Sequence, residues 1–180
     1  MTQERRTLAV EMRAKGRKLE GYAATFGTET RIGDAWTETI AAGAFSASLA
    51  SGRDVLALVD HDSTRVLGRT RSGTLRLSED TRGLAFEIHV PDTQAGRDVL
   101  ALAERNDLGG MSFGFNAVDE HRDGDRRELR AVDLFEISVV AAFAAYPNTV
   151  VQARAQGLIA PGLAHAQRVI RMMEAQQWAS

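Results

Sequence analysis

Apolar residues along this chain fall into strand-like runs and alternations, with two stretches of helical spacing. Val55-Leu56-Ala57-Leu58-Val59 is an unbroken apolar run between Arg53-Asp54 and Asp60-His61-Asp62, which predicts a strand buried on both faces with His61 at its exit. Thr74 to Ser78 and Leu84 to Val90 alternate apolar and polar, so they predict a hairpin turning through Ser78 to Gly83. Met111 to Val118 and Leu129 to Val140 are strand-like as well. The charged run Asp119 to Arg127 separates them, with Asp123-Gly124 as the expected turn. Leu19 to Phe26 reads as a strand that leads into a polar loop over Gly27 to Asp34, and Trp36 to Ile40 as a short extended piece. Helical spacing is found in Ala41 to Ala50, with Phe45 and Leu49 four residues apart. It recurs after Pro91-Asp92-Thr93, where Val99, Leu100, Leu102 and Ala103 form an apolar stripe ending at Asp107-Leu108-Gly109-Gly110.

Strands that follow one another as hairpins, with few helices between them, predict an α+β fold: a mostly antiparallel sheet or barrel with flanking helices. From Gln152 to Ser180 the chain is rich in alanine and glutamine and is broken once by Pro161-Gly162. This divides it into a main domain over 1–151 and a C-terminal tail over 152–180, helical from about Leu163 to Trp178.

Composition narrows the function. At 180 residues the chain suits one compact domain, and with 44% hydrophobic and 26% charged residues it has the make-up of a globular protein. A formal net charge of -2 provides no general field for nucleic acid or an acidic membrane, so neither is expected as a partner. The absence of cysteine excludes disulfides, thiolate zinc sites and a cysteine nucleophile. No apolar segment approaches the roughly 18 residues of a membrane span, and the polar start Met1 to Arg6 carries no secretory signal. The expected setting is the inside of a cell, or of a particle assembled in one.

The candidate chemistry centres on Gly109-Gly110-Met111-Ser112-Phe113-Gly114-Phe115. In a strand, Ser112 shares its face with Gly110 and Gly114, so a substrate backbone could approach closely. The alternative is a small-residue patch packed under another element, or a bulge. Glu136, in Leu134-Phe135-Glu136-Ile137-Ser138-Val139-Val140, has Leu134, Ser138 and Val140 as expected face neighbours and needs a partner if buried. That partner is a histidine, or else an arginine such as Arg69 or Arg130, unless the strand lies at an edge with Glu136 in solvent. Of the four histidines, His89, His121 and His165 sit in polar contexts. His61 alone follows a buried run, its alternative being a loop pairing with Asp60 or Asp62. An alcohol becomes a nucleophile when an imidazole takes its proton and a third group fixes the imidazole tautomer. Ser112, His61 and Glu136 therefore predict a serine hydrolase, a protease, with no cofactor. Histidines with metal-ligand spacing and a phosphate-binding glycine loop are both lacking.

These residues carry a resemblance. Gly21-Tyr22-Ala23, Gly33-Asp34, Gly43-Ala44-Phe45, Leu49, His61-Asp62, Leu67-Gly68-Arg69, Leu108 to Phe115, Glu136 to Val140 and Ala145 to Thr149 resemble, in order and spacing, the prohead maturation proteases of HK97-type tailed phages and gene transfer agents. The resemblance covers about residues 19–151. It implies a barrel like that of the herpesvirus capsid maturation proteases, with Ser112 as nucleophile, His61 as general base and acid, and Glu136 orienting His61 where those enzymes use a second histidine. Those enzymes also carry arginines downstream of the third residue, whereas Val140 to Ala153 has none. The oxyanion donors are thus open, with backbone amides near Gly109-Gly110 or after Tyr146 as candidates. The implied activity is cleavage of scaffold segments of the major capsid protein, and of the protease itself, inside the procapsid in the host or bacterial cytoplasm. The tail would be a docking segment or one that is trimmed, and a homo-oligomer is allowed. The competing readings are a non-catalytic procapsid scaffold and a capsid-binding module.

Overall fold

The computed structural model describes residues 3–8, 12–33 and 35–141. The C-terminal tail, the helix expected in it and the boundary expected near residue 151 lie outside the described residues. Eleven strands and two helices occur in the described part: β1 (Glu4–Leu8), β2 (Met12–Lys15), β3 (Lys18–Thr25), β4 (Thr30–Ile32), β5 (Trp36–Ile40), α1 (Ser46–Ala50), β6 (Leu56–Val59), β7 (Asp62–Arg69), β8 (Leu75–Glu79), β9 (Gly83–His89), α2 (Gln94–Glu104), β10 (Gly110–Asp123) and β11 (Arg126–Val140).

They form two sheets and no closed barrel. One is antiparallel in the order β2-β3-β9-β8. The other runs β1-β10-β11-β5-β4, with β6 also paired to β11 and β7 paired to β6. The barrel expectation thus gives way to two open sheets, and the larger is mixed because the fifteen-residue β11 takes two short parallel partners in succession. Its start pairs with β5 at Arg126 to Leu129, and its end pairs with β6 at Glu136 to Val139. Between them α1 and the turn before it fill the gap. Ala44 O accepts from Val132 N, and Ser48 Oγ accepts from Leu134 N, so backbone groups on that buried edge keep partners.

Both sheets contribute to one core. Leu19, Leu84, Phe86 and Ile88 from the smaller sheet join Met111, Phe113, Phe115, Leu134, Ile137 and Val139 from the larger in one continuous apolar cluster. Phe113 meets Phe45 edge-on with ring centroids 5.5 Å apart and stacks on Phe115 at 5.1 Å. The helix α2 follows its sequence signals. The Thr93 side chain accepts a hydrogen bond from Gly96 N at the N-cap, and Val99 and Leu100 are buried.

The expected hairpin forms, and the charged run Asp119 to Arg127 is part of its strands rather than a separator between them. β10 and β11 continue through it to a two-residue turn at Gly124-Asp125, where Gly124 has φ 59°. Charges take the place of apolar contacts here: Arg127 of β11 bonds Glu120 across the pair, Glu120 also bonds Arg122 of its own strand, and Arg122 lies over the Trp36 ring of β5.

The polar N-terminal segment is likewise a strand, and a buried ion cluster explains it. Arg6 forms a two-pronged pair with Glu38 at 2.5 and 2.8 Å and also bonds Glu4 at 2.6 Å. Arg127 joins Glu38 at 3.0 Å and Glu4 at 2.5 and 2.8 Å. Arg6, Glu38 and Arg127 are all buried. The cluster ties β1 to β5 across β10 and β11. Each charge is satisfied by an opposite one, so removing a single member leaves an uncompensated buried charge. Replacing Arg127 with methionine is expected to cost about 3–5 kcal/mol, read as a drop in the urea midpoint.

The Arg127 hydrogen bond, assisted by Arg6 and opposed by burial, lowers the Glu4 carboxyl from 4.5 to about 2. A carboxyl whose folded pKa lies below its unfolded one adds stability that is complete above about 4.5 and disappears as pH falls toward 2. Melting temperature measured against pH is expected to decline across this window, and less steeply in Glu4→Gln.

Candidate active site

The strand alternation that builds the core on one side of β10 and β11 places small and polar residues on the other. In the antiparallel register Ser112 lies opposite Ser138 and Gly114 opposite Glu136, and on the outer side β1 sets Thr7 beside Ser112 and Arg5 beside Gly114. Residues directly opposite in such a pair share a face. Ser112, Gly114, Glu136, Ser138, Arg5 and Thr7 thus occupy one face, and Phe113, Ile137 and Val139 occupy the other.

A bulge brings Glu136 to that face. Gly114 pairs with Glu136 but Phe115 pairs with Leu134, so Phe135 is an extra residue in β11. The alternation expected from sequence, with Glu136 beside Leu134, is therefore interrupted: Leu134 points into the core, and Glu136 points away from it with Ser138. Gly114 makes the space. A Cβ at that position would sit 2.6 Å from Glu136 Cγ and 2.7 Å from Glu136 Oε1.

The imidazole arrives from the opposite side. β6 and β7 are joined by the two-residue turn Asp60-His61, with Val59 paired to Asp62 and positive φ at both turn residues, 49° and 61°. Asp60 fastens the turn to the end of β11. Its N–H donates to Val139 O at 2.9 Å, its Oδ1 accepts from Ala141 N at 2.9 Å, and its Oδ2 pairs with Arg65. Asp62 is occupied by Thr64 through the backbone N–H and the hydroxyl. Neither aspartate holds His61, whose Nδ1 lies 2.7 Å from Glu136 Oε1.

Glu136 is 4% exposed and has a second partner, Arg5, whose Nε donates to the same Oε1 at 3.1 Å. Burial acts to raise its pKa, but the His61 hydrogen bond and the charges of His61 and Arg5 outweigh it, and the net shift is downward. An ionised carboxylate only accepts, so Nδ1 carries a proton, and in the neutral ring Nε2 is then the acceptor. Arg69 and Arg130, the arginines considered from sequence, pair instead with Asp54 and Glu128. Arg5 was hidden in Glu4-Arg5-Arg6-Thr7, an unbroken polar run whose pattern does not mark one residue from the next.

Ser112 is fully buried, and its hydroxyl has no hydrogen-bond partner among the described residues. The structure thus pairs His61 with Glu136 and puts Ser112 on their face, without a bond between Ser112 and His61. The Gly109 amide, a candidate oxyanion donor, is taken by Val140 O at 2.8 Å; the stretch after Tyr146 lies outside the described residues. Among the described residues, no group of three or more His, Asp or Glu side chains could hold a metal ion. His89 and His121 are exposed, and His165 is outside the described residues.

Gly114→Ala is expected to push Glu136 off Gly114 and break its contact with His61. The downfield imidazole N–H proton resonance of the parent should vanish in the variant, with a stability loss of about 1–3 kcal/mol from overpacking.

No curated protein and no solved structure matches the chain. The sequence model of the caudovirus prohead serine proteases matches residues 4–160, which takes in β1 with Arg5, the His61 turn, Ser112 and Glu136. The chain therefore belongs to the caudovirus prohead serine protease family and is a serine protease of phage capsid maturation.

Proposed function

We propose that the protein is the endopeptidase that removes scaffold segments of the capsid protein inside the immature procapsid, and then cleaves itself, with Ser112 as nucleophile, His61 as general base and acid, and Glu136 as the group that orients His61. The observation that carries this reading is the 2.7 Å contact between His61 Nδ1 and a buried, ionised Glu136 on the face that also bears the unpartnered Ser112 hydroxyl.

Glu136 holds the proton-bearing Nδ1, which aims the lone pair of Nε2 outward. Nε2 takes the Ser112 proton as Oγ bonds to the scissile carbonyl carbon and the carbonyl π pair moves onto oxygen. The imidazolium so formed faces the Glu136 carboxylate, which stabilises its charge. His61 then gives the proton to the departing amine. A water, deprotonated by the same Nε2, hydrolyses the acyl-serine and restores Ser112. Because Ser112 is fully buried in this state, exposure of its hydroxyl precedes attack. Confinement in a procapsid raises the local substrate concentration and keeps other proteins away from the site. Among the described residues, no helix is long and apolar enough to cross a membrane.

Co-expression with the capsid protein tests the assignment. Ser112→Ala and His61→Ala are each expected to reduce capsid-protein cleavage by at least about 10³-fold, and Glu136→Gln to reduce it as well, with circular dichroism unchanged. Cleavage that persists in Ser112→Ala would remove Ser112 as nucleophile and leave the family assignment intact.

A further inference from the structure

A second hydroxyl on the site face has no role in this chemistry. Ser138 is fully buried, and its Oγ, like that of Ser112, has no hydrogen-bond partner among the described residues. A buried hydroxyl left unpaired costs about 1–3 kcal/mol, so two on one face call for a reason. The sheet register supplies one. Ser138 lies directly opposite Ser112 on one side and pairs with Leu58 of β6 on the other. β6 ends one residue later and leads into the turn that carries His61. Ser138 is thus the residue of β11 over which the imidazole must reach to meet Ser112.

We propose that Ser138 is a further residue of the catalytic site, whose hydroxyl donates a hydrogen bond to Ser112 Oγ while His61 takes the Ser112 proton. The proposal rests on the assignment of Ser112 as nucleophile. Side chains directly opposite on antiparallel strands have Cβ atoms about 4.5–5.5 Å apart, which places two serine oxygens within hydrogen-bond reach after a turn about χ1. With Ser138 as donor, the Ser112 proton remains free for Nε2. As that proton leaves, negative charge grows on Ser112 Oγ, and the bond from Ser138 strengthens just when it is needed. Glu136, two residues earlier on β11, cannot do this, because an ionised carboxylate has no proton to donate. The small side chain matters too. A valine or leucine at position 138 would put bulk beside Ser112 and offer it no hydroxyl.

The experiment compares wild type, Ser138→Ala, Ser138→Thr and Ser112→Ala, each as the full chain co-expressed with the capsid protein. It follows the rate of capsid-protein cleavage, the rate at which an alkyl fluorophosphonate labels the protease, and the melting temperature. In labelling, Ser112 Oγ bonds to phosphorus, fluoride departs and His61 takes the proton, so the rate reports on Ser112 without the substrate's binding contacts. Ser138→Ala is expected to slow both reactions about 10- to 100-fold, the size of one hydrogen bond to a developing charge. Its melting temperature should be equal or higher, because the hydroxyl it removes has no partner among the described residues. Ser138→Thr, which keeps a hydroxyl, should react faster than Ser138→Ala. Wild-type rates in Ser138→Ala overturn the proposal, as does a loss that accompanies a lowered melting temperature and is the same in Ser138→Thr. Cleavage and labelling that survive in Ser112→Ala overturn the nucleophile assignment itself, and the role of Ser138 with it.

Discussion

The site is organised around one buried carboxylate. Glu136 is almost fully excluded from water, and an ionised group there is tolerated only if its partners return what hydration would have given. Three distant parts of the chain meet that demand. The β6–β7 turn brings the His61 Nδ1–H, β1 brings Arg5, and Gly114 leaves the opening in which the carboxylate lies. Because both donors use the same oxygen, Arg5 and His61 share the charge of Glu136, which stays ionised despite its burial.

Strand β1 joins this site to the rest of the fold through its two faces. Glu4 and Arg6 point to the side of the buried cluster with Glu38 and Arg127, while Arg5 and Thr7 point to the side of Ser112 and Glu136. Without an apolar side chain to anchor it between Glu4 and Thr7, the strand is fixed in register by charges that are costly to leave unpaired. A slip of one residue would exchange the two faces, setting Arg5 among the buried charges and removing it from Glu136. The ion cluster therefore specifies which arginine reaches Glu136, a role in specificity that does not require the cluster to be a net source of stability.

What the sequence disclosed follows from which forces leave a pattern. Val55 to Val59, Thr74 to Val90 and the core halves of β10 and β11 were legible because apolar burial imposes a period, and α2 because of its stripe and its Thr93 cap. β1 and β7 carry few apolar residues, so their pairing was not legible. The charged run was expected to separate the two strands around a turn at Asp123-Gly124, yet the strands continue through it for the same reason that no apolar pattern marked them: Glu120, Arg122 and Arg127 hold it as a ribbon. Ser112, His61 and Glu136 could be singled out by context. The face on which Glu136 lies could not, because the bulge at Phe135 inverts the alternation and an apolar stretch such as Leu134 to Val140 reads the same with or without it. Closure into a barrel, expected from family likeness, depends on how edge strands meet, and no single strand's pattern encodes that.

The turn at Asp60-His61 shows strain kept for a geometric end. Two-residue hairpins of this kind favour Asn-Gly or Asp-Gly because both turn residues have positive φ, a region that is costly for side chains larger than those of asparagine and aspartate. A glycine at position 61 would relax the backbone and remove the imidazole. The fold instead retains histidine and offsets the cost with the bonds that anchor Asp60 to Val139, Ala141 and Arg65, and with the bond from His61 to Glu136. With both turn residues fastened to β11 or its end, the ring has little freedom to swing away from the strand that carries its carboxylate. A longer, relaxed loop would supply the same imidazole with many more orientations, and only a small fraction of them would set Nδ1 against Glu136.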